Sequence, residues 1–284
     1  MRTIVIPTDF SDTADNAAQF GVALAQKLGA NVTFFHAYNF PNADPFKPVF
    51  SSSGSAIEPQ ELANEYKTAI EAQLQDMCRQ YAERTGGDIE FDSFSASGMT
   101  VDRVVDTMEL VEGSFVVMGT KGYSDRKEIL LGSNAARMVE HSPVPVMVIP
   151  KDATYKPLDS MLFASSLLEK DMDPLELLIP IAEAYKAQLH LIHLDEEADT
   201  EDEKDAMEGY KEIVHDRISY ARLHFHLMKE SDVIEGINQA AEKQEAKLIV
   251  MNTLRKQGVA GWFKRSLSKE MVFHTHLPLL VFQS

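Results

Sequence analysis

Four residues in the first half of the sequence have types and a spacing that suit the binding of a phosphate group. They form the pattern Gly119-x2-Gly122-x9-Gly132-Ser133. A glycine lets the backbone approach a ligand closely, because it carries no side chain. A serine at the start of a helix lies beside free N–H groups, and these groups bind anions. The spacing predicts a glycine cradle for the phosphates of a nucleotide, although tight turns alone would also explain these glycines.

Three residues next to the glycine cradle are candidates for the same site. Met118 precedes it, Asn134 follows it, and Lys121 lies inside it, where its ammonium group can screen phosphate charge. Lys121 is equally well explained as a solvated loop residue. The sequence leaves both interpretations of this lysine open.

Asp9 is a candidate of a second kind, because it follows a short apolar segment together with Pro7 and Thr8. Its carboxylate can accept hydrogen bonds from the hydroxyl groups of a ribose. Aspartate is also a common N-cap residue, so Asp9 can instead cap the predicted helix Ser11–Leu28. Both roles stay open at this point.

Short segments rich in β-branched and aromatic residues alternate with helical patterns, and these elements must position the candidates. The predicted strands of the first half are Thr3–Pro7, Asn31–Tyr38, Ile89–Ala96, Phe115–Gly119 and Val144–Ile149, and a long helix is predicted at Leu62–Thr85. Apolar strands separated by helices indicate a parallel sheet that is covered on both faces. We predict an α/β fold with a doubly wound, five-stranded parallel sheet, which binds ligands at the carboxyl ends of its strands.

The sequence contains this unit twice. Residues 115–150 align with residues 248–283 at a constant offset of 133, and residues 3–37 align with residues 160–194 at an offset of 157. About 24 extra residues therefore lie in the first copy, within the proline- and serine-rich segment Phe40–Glu65. We predict an N-terminal nucleotide-binding domain at 1–150, a linker at 151–158 and a second domain at 159–284.

Taken together, the repeat, the strand order and these motifs resemble the universal stress protein family in its tandem form, over essentially the whole chain. The ATP-binding branch of that family has Gly-x2-Gly-x9-Gly-Ser/Thr after its fourth strand, which matches the glycine cradle at every position. The acidic residue that the family has after its first strand matches Asp9. The family's adenine-contacting backbone position falls on Ala37.

The resemblance has implications for fold, ligand and role. It implies a Rossmann-like fold of the adenine nucleotide alpha hydrolase type in both domains. It implies ATP as the ligand, with Mg²⁺ or Mn²⁺ at the phosphates. It also implies a regulatory role in stress adaptation rather than a metabolic one.

The second copy departs from the family pattern. The positions that correspond to Asp9 and to the three glycines hold Ser166, Asn252, Arg255 and Arg265. Arginine side chains would occupy the space in which the backbone should approach a phosphate. We therefore predict that the second copy keeps its sheet, has lost the nucleotide site, and leaves one ATP per chain.

Charge and composition disfavour some classes of partner and compartment. The 284 residues carry a formal net charge of −17, and such an acidic surface repels nucleic acids and anionic lipid. No apolar run approaches the roughly 18 residues of a membrane span, and the first residues lack a signal-peptide pattern. Cys78 is the only cysteine, which excludes an intramolecular disulfide and fits a reducing compartment. We expect a cytoplasmic protein that binds neither nucleic acid nor membrane.

The sequence indicates neither a catalytic group nor a dedicated metal site. The phosphate-binding pattern G-x-x-x-x-G-K-[ST] and the nucleophile pattern G-x-S-x-G are both absent, so we expect slow ATP hydrolysis at most. His190 and His193 fall on opposite faces of a predicted strand. The acidic run Asp195–Asp205 is expected to be a solvated loop; loose cation binding stays open, but the run lacks an EF-hand pattern. His36 and His193 occupy equivalent positions, which a packing role explains.

Two other functions and one assembly prediction remain. The chain can be an interaction module of the same fold that binds no nucleotide, or a slow ATP hydrolase or adenylating enzyme. The last strands of the two copies, Val144–Ile149 and Leu279–Phe282, would each expose an apolar edge, so we predict that they pair antiparallel within the chain. The sequence identifies no protein partner, and a homodimer through other surfaces stays open.

Overall fold

The computed structural model describes residues 3–38, 49–50, 56–57, 59–120, 133–253 and 265–283. The strands are β1 (Thr3–Pro7), β2 (Asn31–Tyr38), β3 (Val49–Phe50), β4 (Ala56–Ile57), β5 (Phe91–Ser97), β6 (Gly113–Gly119), β7 (Val146–Ile149), β8 (Ser160–Ala164), β9 (Gln188–Asp195), β10 (Leu223–Lys229), β11 (Leu248–Thr253) and β12 (Leu279–Gln283). The helices are α1 (Asp12–Leu28), α2 (Pro59–Thr85), α3 (Thr100–Leu110), α4 (Ser133–His141), α5 (Met172–Tyr185), α6 (Glu201–Arg217), α7 (Val233–Lys243) and α8 (Arg265–His274). Among the described residues, no helix has the length and apolar character that crossing a membrane requires.

The chain divides into two compact units, Met1–Val116 and Val117–Ser284. Strand β6 begins in the first unit and ends in the second, so this division differs from the boundary between the sequence repeats. Strand β7 ends the first repeat and β12 ends the second. These two strands pair with each other, and both lie in the second unit. The domain boundaries at residues 150 and 159 stay predictions from the sequence.

The first unit contains parallel strands in the order β6-β1-β2-β5. Strand β1 lies between its neighbours, with Val5 opposite Thr33 on β2 and opposite Val116 on β6. Ile4, Val5 and Ile6 are fully buried, because a central parallel strand is covered on both faces. Helices α1 and α3 pack against β1 and β2, and α2 packs against β2 and β5. This arrangement confirms the predicted doubly wound α/β fold.

The second unit contains strands in the order β10-β9-β8-β11-β12-β7. The first five are parallel, whereas β12 and β7 run antiparallel, with Leu280 opposite Met147 and Val281 opposite Val146. The side-chain amide of Gln283 also donates to the carbonyl oxygen of Val139, at 3.3 Å. The predicted antiparallel pairing of the two final strands is confirmed. Each of these two strands thereby gains a partner for an apolar edge.

Several element boundaries differ from the predicted ones by a few residues, and local chemistry explains the differences. Helix α2 begins at Pro59, because the first turn of a helix tolerates a residue that lacks an N–H group. Strand β7 begins at Val146 rather than Val144. The hydroxyl of Ser142 donates to the carbonyl of Val144 at 2.7 Å and accepts from its N–H at 3.2 Å, so this segment forms a turn before the strand starts.

Candidate functional site

A tight turn joins β1 to α1 and holds the candidates Pro7, Thr8 and Asp9. The N–H of Thr8 donates to the carbonyl of Phe35 on β2 at 2.8 Å, so pairing with β2 continues one residue beyond β1. Phe10 has a φ of 61°, which is a left-handed conformation that a bulky residue rarely adopts. Its N–H donates to the Thr8 hydroxyl oxygen at 3.0 Å. The buried Thr8 thus stabilises this turn, in which Asp9 is exposed to solvent.

Asp9 is exposed, and its carboxylate is held in place by Ser11. One oxygen, Oδ1, accepts from the N–H of Ser11 at 3.1 Å and from its hydroxyl at 2.5 Å. Ser11 is the N-cap of α1, because its own oxygen accepts from the N–H of Ala14 at 3.3 Å. Ser11, not Asp9, therefore caps the helix. Asp9 instead offers an oriented hydrogen-bond acceptor that faces solvent.

His36 fixes this turn from the neighbouring strand. Its Nδ1 lies 2.8 Å from the carbonyl oxygen of Thr8, and since a carbonyl only accepts, Nδ1 carries the proton and donates. The ring of Phe10 stacks on the imidazole at a centroid distance of 4.8 Å. The next residue, Ala37, is half-buried at the end of β2. The first unit therefore places Thr8 and Ala37 at the carboxyl ends of neighbouring strands.

The described part of the glycine cradle lies in the second unit. Met118 is buried and Gly119 half-buried at the end of β6, and the N–H of the following Thr120 donates to the carbonyl of Ile149 at 2.9 Å. Helix α4 begins at Ser133, as predicted, and Asn134 in its first turn is exposed. The remaining candidates of this set lie outside the described residues; they are Lys121, Gly122 and Gly132.

The second copy repeats the turn of the first copy with different side chains. Leu167 occupies the position of Phe10 and has a φ of 56°, and its N–H donates to the hydroxyl oxygen of Ser165 at 3.0 Å. His193 Nδ1 donates to the carbonyl of Ser165 over 2.8 Å, as His36 does to Thr8. The sequence analysis assigned these two histidines a packing role. The structure shows that each also holds the backbone of the turn by a hydrogen bond.

A buried carboxylate occupies the strand ends of the second copy. Asp171 is 1% exposed, and its Oδ2 accepts from the Ser165 hydroxyl at 2.9 Å, the Ser166 N–H at 2.7 Å and the Ser166 hydroxyl at 3.0 Å. The buried amide of Asn252 donates to the other oxygen at 3.2 Å. Ser166 and Asn252 stand where the first copy has Asp9 and Gly119. The corresponding strand ends of the second copy are thus filled by its own side chains.

Three histidines form a separate cluster on β9 and the edge strand β10. His190 Nδ1 lies 3.0 Å from His226 Nε2, and its ring stacks on that of His224 at a centroid distance of 5.1 Å. Burial, followed by the neighbouring His226 and His224, lowers the pKa of His190 to about 4. Burial also lowers the pKa of His226. Folding therefore disfavours the protonated forms of His190 and His226.

We expect the histidine cluster to make stability depend on pH between about 6.5 and 4. In this window an unfolded His190 binds a proton and the folded one does not, so the free energy of unfolding falls as the pH falls, and levels off below about 4. After allowance for solvent screening of this half-exposed ring, the loss is about 1 kcal/mol. Urea unfolding of His190→Gln at pH 7 and pH 4.5 should show a smaller pH-dependent loss than the wild type. An identical loss in both proteins would contradict this.

The structure also brings His193 together with two members of the acidic run, Asp195 and Glu203. One ligand atom from each lies within 4.8 Å of the others. The signal in the sequence was a His-x-Asp at a strand end, followed by Thr200-x-x-Glu203, which is typical of a helix start. It was missed because only the fold brings the first turn of α6 against the end of β9.

Comparison with known proteins agrees with this architecture. The sequence model of the Universal stress protein family matches the chain twice, at residues 1–150 and 160–283. The chain belongs to the universal stress protein family. Its two matches make it a tandem universal stress protein, as its internal repeat predicts.

Individual universal stress proteins match either one copy or the whole chain. One from Methanocaldococcus jannaschii is 28% identical over 150 residues, which is 53% of this chain and 82% of that protein. One from Thermus aquaticus is 26% identical over 148 residues, which is 52% of this chain and 98% of that protein. A universal stress protein from Archaeoglobus fulgidus, known from its crystal structure, is 20% identical in sequence. The two structures superpose with a TM-score of 0.75 over 99% of this chain and 98% of the other. This last likeness shows that the fold is shared over the full length.

Proposed function

We propose that this tandem universal stress protein binds one ATP molecule in its N-terminal copy, and that binding serves a regulatory role in stress adaptation. The proposal rests on the residues of this copy that match the family's nucleotide motif. The proposed contacts are Pro7, Thr8, Asp9, Ala37, Met118, Gly119, Lys121, Gly122, Gly132, Ser133 and Asn134.

One difference between the copies carries the proposal. In the first copy the turn after β1 presents the exposed carboxylate of Asp9, oriented by Ser11. In the second copy Ser166 takes that place, and it donates to the buried Asp171. An acceptor for ribose hydroxyls is therefore available in the first copy, whereas the equivalent groups of the second are engaged with each other. This asymmetry supports one nucleotide per chain.

The proposal includes Mg²⁺ or Mn²⁺ bound with the phosphates. These ions prefer oxygen ligands, and in nucleotide sites the phosphates and water supply most of them. The phosphates would hold the ion, and no side chain of the chain is assigned as its ligand. When bound, the ion would neutralise phosphate charge. No residue is assigned a catalytic role, so hydrolysis faster than a slow background is not part of the proposal.

The output of ATP binding is proposed to be an interaction with another protein in the cytoplasm. The net charge of −17 disfavours nucleic acid and anionic lipid as alternatives. The single cysteine is consistent with a reducing compartment.

Mass spectrometry of nucleotide released from the purified chain, followed by calorimetric titration with ATP and Mg²⁺, tests the proposal. We expect an adenine nucleotide to be released and a stoichiometry of one ATP per chain. Absence of both released nucleotide and binding heat would favour a pure interaction module. Phosphate or pyrophosphate release at the turnover rate of a typical enzyme would favour an enzyme instead, and two ATP per chain would contradict the asymmetry.

A further inference from the structure

The second copy contains a cluster of metal-binding side chains away from the proposed ATP contacts. His193 and Asp195 lie two residues apart on β9, so their side chains point to the same face of the sheet. Glu203 lies in the first turn of α6. One nitrogen and two carboxylate oxygens from these residues lie within 4.8 Å of one another. We propose that His193, Asp195 and Glu203 together bind one divalent transition-metal ion.

The hydrogen bond of the His193 ring determines which of its nitrogens can bind a metal ion. The side chain is nine-tenths buried, and its Nδ1 donates to the carbonyl of Ser165 at 2.8 Å. In a neutral ring the lone pair then lies on Nε2, which faces the Glu203 carboxylate at 3.7 Å. Metal-binding histidines are commonly held in this way, with one nitrogen bound to a carbonyl and the other directed at the ion.

Two electron-rich atoms, His193 Nε2 and Glu203 Oε2, face each other in this cluster. The 3.7 Å between His193 Nε2 and Glu203 Oε2 is too long for a hydrogen bond. A lone pair and a carboxylate that face each other repel unless a positive charge, either a proton or a metal ion, lies between them. Zn²⁺ binds histidine nitrogen and carboxylate oxygen at about 2.0–2.2 Å, so two of its ligands lie roughly 3.5 Å apart. Side-chain shifts of about 1 Å would bring all three atoms into range.

The two carboxylates of the cluster differ in what orients them. Asp195 Oδ1 accepts from the N–H of Glu197 at 2.6 Å. In a capping box, Glu203 would reach back to the N–H of Thr200, but that N–H donates to the carbonyl of Glu197 at 2.8 Å. Glu203 is directed at His193 instead. A backbone hydrogen bond thus orients Asp195, whereas Glu203 Oε2 lies 3.7 Å from His193 Nε2.

The charge around the cluster favours a cation. Eight of the eleven residues Asp195–Asp205 are acidic. Two nearby lysines are engaged elsewhere: Lys229 with Asp199 at 2.6 Å, and Lys204 with Glu201 at 2.7 Å. A single imidazole with two carboxylates suits Zn²⁺ and similar ions better than Mg²⁺, which prefers oxygen ligands throughout.

Within the described part of the chain, this cluster occurs in the second copy. The position that corresponds to Asp195 in the first copy is Tyr38, and the histidine equivalent to His193 stacks on Phe10. The copy that has lost the nucleotide motif has therefore gained a carboxylate at the same strand end. A bound ion would connect the end of β9 to the start of α6.

Calorimetric titration of the metal-free full chain with Zn²⁺ tests this inference, and Co²⁺ absorption spectra give a second readout. We expect one tight site per chain, and an affinity at least tenfold lower in Glu203→Gln and in Asp195→Asn. The matched controls are Glu201→Gln, in the same acidic run and helix turn, and His226→Gln, in the other histidine cluster. Both should bind Zn²⁺ as the wild type does.

Three outcomes would overturn the inference. The first is a wild-type chain that binds no Zn²⁺, as expected if His193 is protonated and simply pairs with Glu203. The second is an equal loss in Glu203→Gln and Glu201→Gln, which would indicate diffuse attraction to the acidic run. The third is a loss confined to His226→Gln, which would place the ion in the cluster of β9 and β10.

Discussion

The affinity for ATP should fall at least tenfold when Gly132 is replaced by valine. A side chain at the closest approach between backbone and phosphate would occupy the volume of the ligand. Losing one hydrogen bond to a charged phosphate costs roughly 1.5–3 kcal/mol, which corresponds to about a tenfold to hundredfold weaker affinity. Calorimetric titration with ATP and Mg²⁺ measures the change, and Gly122→Val should behave in the same way.

The matched control for this variant is Arg265→Ala, the equivalent position of the second copy. The second copy is proposed to hold no nucleotide. The Arg265→Ala variant should therefore keep the wild-type affinity for ATP and the stoichiometry of one ATP per chain. Unaltered binding in Gly132→Val would show that the phosphates lie elsewhere. A loss of binding in Arg265→Ala would show that the second copy takes part.

Replacing Asp171 with alanine should destabilise the protein by on the order of 3 kcal/mol. The carboxylate is 1% exposed and accepts hydrogen bonds from Ser165, Ser166 and Asn252. Its removal leaves the buried Ser165 hydroxyl and the Ser166 N–H without this acceptor, whereas the Asn252 amide keeps its bond to the Lys170 carbonyl at 3.2 Å. Each unsatisfied buried group costs about 1–3 kcal/mol. The free energy and the midpoint of urea unfolding at pH 7 measure the loss.

Asp173→Ala is the matched control for Asp171. Asp173 lies two residues away and pairs with Arg217 at 3.4 Å, but its side chain is 83% exposed. Exposed ion pairs contribute less than about 1 kcal/mol, so this variant should unfold close to the wild type. If both variants lost the same stability, the Asp171 network would not be what holds the strand ends together.

The sequence predicted the sheet, the repeat and the pairing of the final strands, because these depend on patterns that short segments carry. Apolar runs such as Thr3–Pro7 and Val146–Ile149 are predicted as strands because of their apolar residues, and the same residues bury these strands in the sheet. Helix α4 likewise begins at the serine after which the sequence predicts a helix. The start of β7 shifted because the Ser142 side chain bonds the backbone of Val144.

The contacts that the sequence did not predict join residues from distant parts of the chain. Asp171 takes the position of Ala14 in the first copy, and its partner Asn252 lies 81 residues further along. Neither residue type alone indicates that they meet. The approach of Glu203 to His193 likewise depends on how α6 packs after β9. Periodicity predicts which face of an element is buried, but not which polar side chains satisfy each other there.

The antiparallel pairing of Leu279–Gln283 with Val146–Ile149 has a consequence for how the two copies can change over time. When identical subunits pair through such strands, one gene specifies both partners, so any substitution appears on both sides of the interface. Here the paired strands belong to one polypeptide, and dilution cannot separate them into different molecules. Each half can therefore accumulate its own substitutions while the shared edge is preserved. A covalently fixed pair of this kind can keep one ligand in one half and acquire a different one in the other.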